Sequence, residues 1–317
     1  MSVTTPKGGA HFRAALAFQA ARGTVASVPA GRLSLLDGPR PAGAVVVDDQ
    51  GLPTGPGWAD TRGPALVAVA PFVTIRLVAE PTSLALMLES VTGGTPVTAG
   101  AVTTYAWRAL PVRWLTLWVG DGTRAVRYGD LECVRLRVET VGGAGAEGAV
   151  ATADLAGRLR DVIADPLGST GAPVPAAWAH AGLAASVNAA AQSPMSAALD
   201  VAWEHELFWG LGTDAVPALP EEVVRQLARV RVEGELAPAT EAADRAAAAL
   251  ADSTHAAEWS WLSGTRRLRV VAPRARTAAA DLFGVLAGNA ERHPYAEEAR
   301  SGTTDAQDPA VITLETV

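Results

Sequence analysis

Cysteine is almost missing: Cys133 stands alone in 317 residues. That excludes an internal disulfide and any multi-cysteine zinc site. Lysine is as scarce, with Lys7 the single lysine among 26 basic residues, and aromatic residues make up only 5% of the chain. No apolar run reaches the ~18 residues that a membrane helix needs, so no membrane anchor is expected. The opening MSVTTPKGGAHF lacks the apolar stretch of a signal peptide, and the expectation is a soluble intracellular protein. Three catalytic signatures are also missing: the phosphate loop G-x-x-x-x-G-K-[ST], the nucleophile elbow G-x-S-x-G and the zinc motif H-E-x-x-H.

What is present is a large apolar fraction, 49%, enough to build a substantial core and to exclude global disorder. Alanine is inflated to 66 residues, and its rise together with arginine, glycine and proline reads as GC-rich coding. The formal net charge is −7. It is unevenly spread: residues 1–157 hold 13 basic against 12 acidic residues, and residues 158–317 hold 13 against 21. A duplex binder that works by counterion release needs the opposite sign.

Breakers dominate residues 1–63, where Gly8, Gly9, Pro29, Pro39, Pro41, Pro53 and Pro56 leave room for short strands at 32–36 and 44–48. Residues 37–63 read as a long loop or projecting hairpin, a length that in compact domains usually serves binding. Val67, Val69, Val73, Ile75 and Leu77 then recur with a strand period. Pro81 and the terminator Gly93 frame a helix over 82–91. Hairpins are expected over 113–140, with turns at Gly120-Asp121-Gly122 and Gly129-Asp130. Val134, Leu136 and Val138 are assigned to one face of the last strand, and Cys133, Arg135, Arg137 and Glu139 to a wetted face.

A helical turn at 159–164 and a proline-rich linker follow. The second half offers a strand at 199–207 and a segment at 221–236 that is strand-like from Ala228 and compatible with helix at its start. Next come an alanine-rich helix over 240–252 with Thr240 as N-cap, a hairpin turning at Ser263-Gly264, and a closing strand at 310–317. Strand, short helix and hairpins therefore occur twice, at 67–140 and at 223–272. Two readings stand: an internal duplication, or one large β domain with two helices.

No constellation carries catalysis. The run GAGAEG at 143–148 fits G-x-G-x-x-G, but the preceding strand carries Arg135, Arg137 and Glu139, and the sequence after it alternates like a strand. A dinucleotide-binding first strand is buried on both faces, so this is a hairpin loop. Glu204, His205 and Glu206 have no second histidine at helical spacing, and His11, His180, His255 and His293 are scattered. Trp114, Trp118, Trp203, Trp259 and Trp261 alternate with apolar neighbours, which suits a core or subunit interface better than a carbohydrate platform. No catalytic, cofactor-binding or metal-ligating residue is assigned, no cofactor is expected, and the chain is expected not to be an enzyme.

Several passages resemble the tail tube (major tail) proteins of long-tailed bacteriophages, in a two-domain form. AFQAARGT at 17–24 is similar to that family's opening, and WLTLWVGDGTRAVRYGDLECVRLRV at 114–138 resembles its central hairpin. The passages 199–207 and 228–236, with Gly210 and Gly212 between them, and VITLETV at 311–317 resemble its later strands. The loop before Leu66 and the alanine-rich bridge near 176–191 depart from the pattern.

The resemblance implies a mainly β fold of two tandem β-sandwich or barrel-like tail-tube domains, each with a short helix. Residues 1–157 would form the first, with an N-terminal arm and the loop 37–63; 158–195 a linker and bridge; and 196–317 the second. It further implies a structural virion protein whose trimeric, pseudo-hexameric rings stack into a tube for DNA ejection, made in the host cytoplasm and placed in the tail. Its partners would be itself, tape measure, tail-tip or terminator proteins, and DNA passing through the lumen without specific binding. Rival readings are a carbohydrate- or peptide-binding β-sandwich module, or another virion component of baseplate or capsid-decoration type.

Overall fold

The computed structural model describes residues 13–36, 40–41, 44–48, 65–70, 72–111, 113–141, 148–157, 159–167, 182–208, 222–237, 239–280, 285–287, 290–300 and 308–317. The chain begins with β1 (Arg13–Phe18), β2 (Gly31–Leu33), β3 (Arg40–Pro41), β4 (Ala44–Asp48), β5 (Ala65–Ala70), β6 (Phe72–Val78) and α1 (Pro81–Thr92). There follow β7 (Val97–Ala99), β8 (Val102–Tyr105), β9 (Leu115–Gly120), β10 (Arg124–Val141), β11 (Val150–Ala156), β12 (Leu159–Ala164), β13 (Leu183–Val187) and β14 (Ala190–Gln192). Then come β15 (Pro194–Phe208), β16 (Glu222–Leu236), α2 (Ala239–Leu250), β17 (Thr254–Ser263), β18 (Arg266–Ala280), β19 (Val285–Ala287), β20 (Ala290–Ala299) and β21 (Val311–Thr316). The protein is mainly β, and its strands pair antiparallel throughout the described residues.

Long strands organise the sheet. The first part of β10 lies between β9 and β12, and its second part between β11 and β15. From there the ladder runs outward to β6 through β11, and onward through β15, β16 and β20 to β18. β9 continues to β1 and β2, and β18 is joined to β17 and β21. β17 pairs with β13, which pairs with β14. β21 in turn pairs with β8, so the last strand of the chain lies beside one from its first third. β4 and β5 form a separate two-stranded ribbon.

Alternation explains which side is buried. Leu136 and Val138 of β10, Leu199 and Val201 of β15, and Val230 and Val232 of β16 are sealed in one apolar cluster with Leu84, Met87 and Leu88 of α1. Burying such side chains contributes about 1.5–3 kcal/mol each. Their neighbours one residue away, Arg135, Arg137, Asp200, Arg229, Arg231 and Glu233, stay partly or fully exposed.

α1 forms where the sequence frames it. The Glu80 carboxylate accepts the N–H groups of Thr82 (2.8 Å) and Ser83 (2.5 Å), and Pro81 takes the position where no amide is needed. Gly93, at φ 83, ends the helix in the left-handed conformation and donates to the Glu89 carbonyl. Leu84, Met87, Leu88 and Val91 recur at the helical period and make its buried stripe. α2 starts at Ala239, which places Thr240 inside the first turn and not at the N-cap.

Four further expectations are corrected. Leu159–Ala164 is a strand, because its backbone completes the ladder on the free edge of β10 from Arg124 to Gly129. β16 is extended from Glu222 onward, held by β15 over its whole length. Gly129-Asp130 is a bulge within one continuous strand and not a turn: Asp130 takes φ 49 and its carboxylate accepts the Gly23 N–H at 2.7 Å. A second irregularity, between Cys133 and Arg135, changes the side-chain phase and turns Cys133 into the core. The expected loop 37–63, the N-terminal arm, and the turns at 143–147 and 210–212 lie wholly or largely outside the described residues.

Candidate functional site

The feature that stands out is the polar face of the long-strand sheet. One cross-strand row reads Arg76, Thr152, Arg137, Asp200, Arg231, Glu298 and Arg276, on β6, β11, β10, β15, β16, β20 and β18. Arginine recurs on every second strand, with an acid or a hydroxyl on each strand between. Directly opposed opposite charges attract across a sheet. The next row carries Glu139 and Glu233, separated by Ala198.

Ion pairs knit these rows together. Arg135 binds Asp200 through two nitrogens, with Nε at 3.0 Å. Arg137 Nε reaches Glu139 at 3.2 Å and its Nη1 reaches Glu233 at 2.7 Å. Arg231 pairs with Glu233 at 3.2 Å, Arg229 with Glu204, and Arg292 with Glu235 at 2.9 Å. Arg269 grips Glu258 at 2.7 Å, and Arg267 reaches Glu315 at 3.4 Å. Arg135 and Arg137, which alternation assigns to the wetted face, are therefore both charge-paired. Hydrogen bonding to Asp200 raises the Arg135 guanidinium further above its ordinary value, and bonding to Arg269 lowers the Glu258 carboxyl below its own. A shallow groove of about 770 Å³ runs along this face, lined by Arg137, Glu139, Arg231, Glu233, Glu235 and Tyr295.

Beneath the sheet lie two buried charged clusters that sequence reading missed. Arg225 of β16 donates to Glu132 of β10 at 3.1 Å, to the Val91 and Ser90 carbonyls of α1 at 3.0 and 2.7 Å, and to the Cys133 carbonyl at 3.2 Å. A cation is favoured at this end of a helix. The Trp203 ring lies 5.4 Å from the guanidinium, and its indole donates to Val91. Burial pushes the Glu132 carboxyl up, with Arg225 opposing, and pulls the Arg225 guanidinium down, with Glu132 opposing. The second cluster joins Arg245 of α2 to Glu297 of β20, with His255 of β17 at 3.2 Å from the same carboxylate oxygen. The signal in the sequence is a charge in the apolar phase: Glu297 alternates with His293 and Tyr295, and Arg245 lies one turn beyond Ala242.

The remaining candidates find plain structural places. Cys133 is fully buried, and burial pushes its thiol up to about 12. Glu204, His205 and Glu206 are exposed on β15, and no metal-holding group of His, Cys, Asp and Glu occurs among the described residues. Trp118, Trp203, Trp259 and Trp261 are buried, and Trp114 is half-buried. Antiparallel β10 and β11 flank the GAGAEG run, which is the pairing of a hairpin and not of a dinucleotide fold. No described helix is long and apolar enough to cross a membrane. Compared with known proteins, the chain matches no family model and no curated sequence.

Proposed function

We propose that this chain is a tail tube protein of a long-tailed bacteriophage, a structural virion component without turnover. Two tail-tube domains in tandem would let three copies close a pseudo-hexameric ring, and stacked rings would form the conduit for DNA ejection. The observation that carries the reading is a repeated strand-pairing order. In the first half β6 pairs with β11 and β11 with β10, while β10 also holds β9 and β12, and β9 leads to β1 and β2. In the second half β16 pairs with β20 and β20 with β18, while β18 also holds β17 and β21, and β17 leads to β13 and β14. Each half places its helix directly after the first strand of the trio, α1 after β6 and α2 after β16.

The junction between the halves supports the assembly reading. β10 of the first half pairs with β15 of the second over Arg135 to Val141, so one sheet passes from half to half. The matching edge of β18, from Thr277 to Ala280 beyond the end of β17, has no partner among the described residues. A neighbouring copy would continue the sheet there and cover an edge that otherwise invites aggregation. The charge-paired polar face suits a lumen wall, because paired arginines offer DNA little counterion release.

Electron microscopy of the purified protein at high concentration tests the proposal. Rings or tubes of stacked rings are expected. Compact monomers at all concentrations, with or without tape measure and terminator proteins, would overturn it and favour a carbohydrate- or peptide-binding module. Tail-tip and DNA contacts follow from the same assembly, made in the host cytoplasm and retained in the virion tail.

A further inference from the structure

The two helices are attached to the sheet by different means. α1 buries Leu84, Met87, Leu88 and Val91. Among the described side chains of α2 only Ala242 and Arg245 are buried, while Leu250 at its end is 90% exposed. A short helix in water depends on tertiary packing of an apolar face, and one alanine supplies little of it.

What holds α2 is polar. Arg245 donates to Glu297 of β20, and its guanidinium lies 4.2 Å from the centre of the Tyr295 ring. Glu241 accepts the Ser193 N–H at 3.0 Å, and Gln192 of β14 stands 3.4 Å from Arg245. His255 of β17 stands 3.2 Å from the Glu297 oxygen that Arg245 also contacts. Thr277 of β18 lies directly across the ladder from Glu297.

This latch is incompletely satisfied. The second carboxylate oxygen of Glu297, the Thr277 hydroxyl and Nε of Arg245 are buried without a hydrogen-bond partner among the described residues. Buried polar atoms left unpaired cost free energy that contact with water would return. The closed position of α2 therefore combines a small apolar gain with a standing polar cost. Asp252, at φ 50, ends the helix in the left-handed conformation, and its pair with Arg276 of β18 is exposed and so adds little to the hold.

We infer that α2 is a lid: it opens from β18 and β20 as a local unit, by release of Arg245 from Glu297, while the sheet and α1 remain folded. Opening exposes a polar, aromatic surface formed by Tyr295, Thr277 and Glu297. This inference goes beyond the tube reading and does not rest on it.

Hydrogen exchange of the full chain, followed by mass spectrometry over a series of low guanidinium concentrations, tests it. Amides of α2 are expected to exchange at least about tenfold faster than those of α1, through an opening nearly independent of denaturant. Glu297→Gln and Arg245→Met are each expected to speed α2 exchange by a further factor of about ten while α1 and β10 amides keep their rates. The denaturant series on the unaltered chain needs no variant to fold. Exchange of α2 with the same denaturant dependence as β18 and β20 would overturn the inference. So would variants that leave α2 exchange unchanged.

Discussion

Arg225 and Glu132 meet at 3.1 Å with side chains 0% and 4% exposed, although 93 residues of sequence separate them. The contact ties β16 to β10 and to the end of α1, so it fastens the second half of the chain onto the first. Because a buried ion left without its partner is costly, Arg225→Met should destabilise by about 3–5 kcal/mol. Arg229→Ala, which breaks a pair on the exposed face, should cost about 0–1 kcal/mol. Chemical denaturation of the two variants side by side measures the difference, and equal losses would contradict it.

Gly93 offers a second test. A Cβ there would lie 2.6 Å from the Arg108 carbonyl oxygen, on a residue with φ +83. Gly93→Ala should therefore lower stability by more than the ~1 kcal/mol expected for loss of the Glu80 cap in Glu80→Ala. Thermal unfolding of both variants gives the comparison.

For Cys133, burial and a thiol held near 12 predict silence towards thiol reagents. A colorimetric thiol assay should find no rapid reaction in the folded protein and one equivalent after denaturation. Rapid labelling under native conditions would show that the strand bulge does not hold the side chain inside.

Asp200 masks two arginines, Arg135 and Arg137, the latter at 3.8 Å. Asp200→Ala should leave the fold intact and give salt-sensitive duplex binding at low ionic strength, where the unaltered protein is expected to bind weakly. Fluorescence anisotropy over a salt series reads this directly. Strong binding by the unaltered protein would mean that the pairing does not neutralise the face.

Much of this was legible where the signal is local. Gly120-Asp121-Gly122 turns β9 into β10, Ser263-Gly264 turns β17 into β18, and Pro81 with Gly93 frames α1. Alternation along Arg135, Arg137 and Glu139 marked the polar face, although Arg135 takes Asp200 as its partner, an acid that only strand pairing brings near. Non-local terms decide the rest. Leu159–Ala164 is extended because β10 offers an edge, and Asp130 sits in a bulge because Gly23, 107 residues away, donates to it. Arg225, Arg245, Glu132 and Glu297 interrupt apolar patterns in ways that one sequence reads as irregularity, and only their pairing explains them.

β10 has a mechanical consequence. Its two ends belong to different strand sets, β9 with β12 and β11 with β15, and the bulge at Asp130 lets one covalent segment serve both. Tension along this segment is carried in shear by ladders on both of its edges at once, so it cannot be peeled away one hydrogen bond at a time. Forced unfolding is governed by the rate of such an event. A sheet built around strands of this kind resists pulling far better than it resists the opening of a single edge.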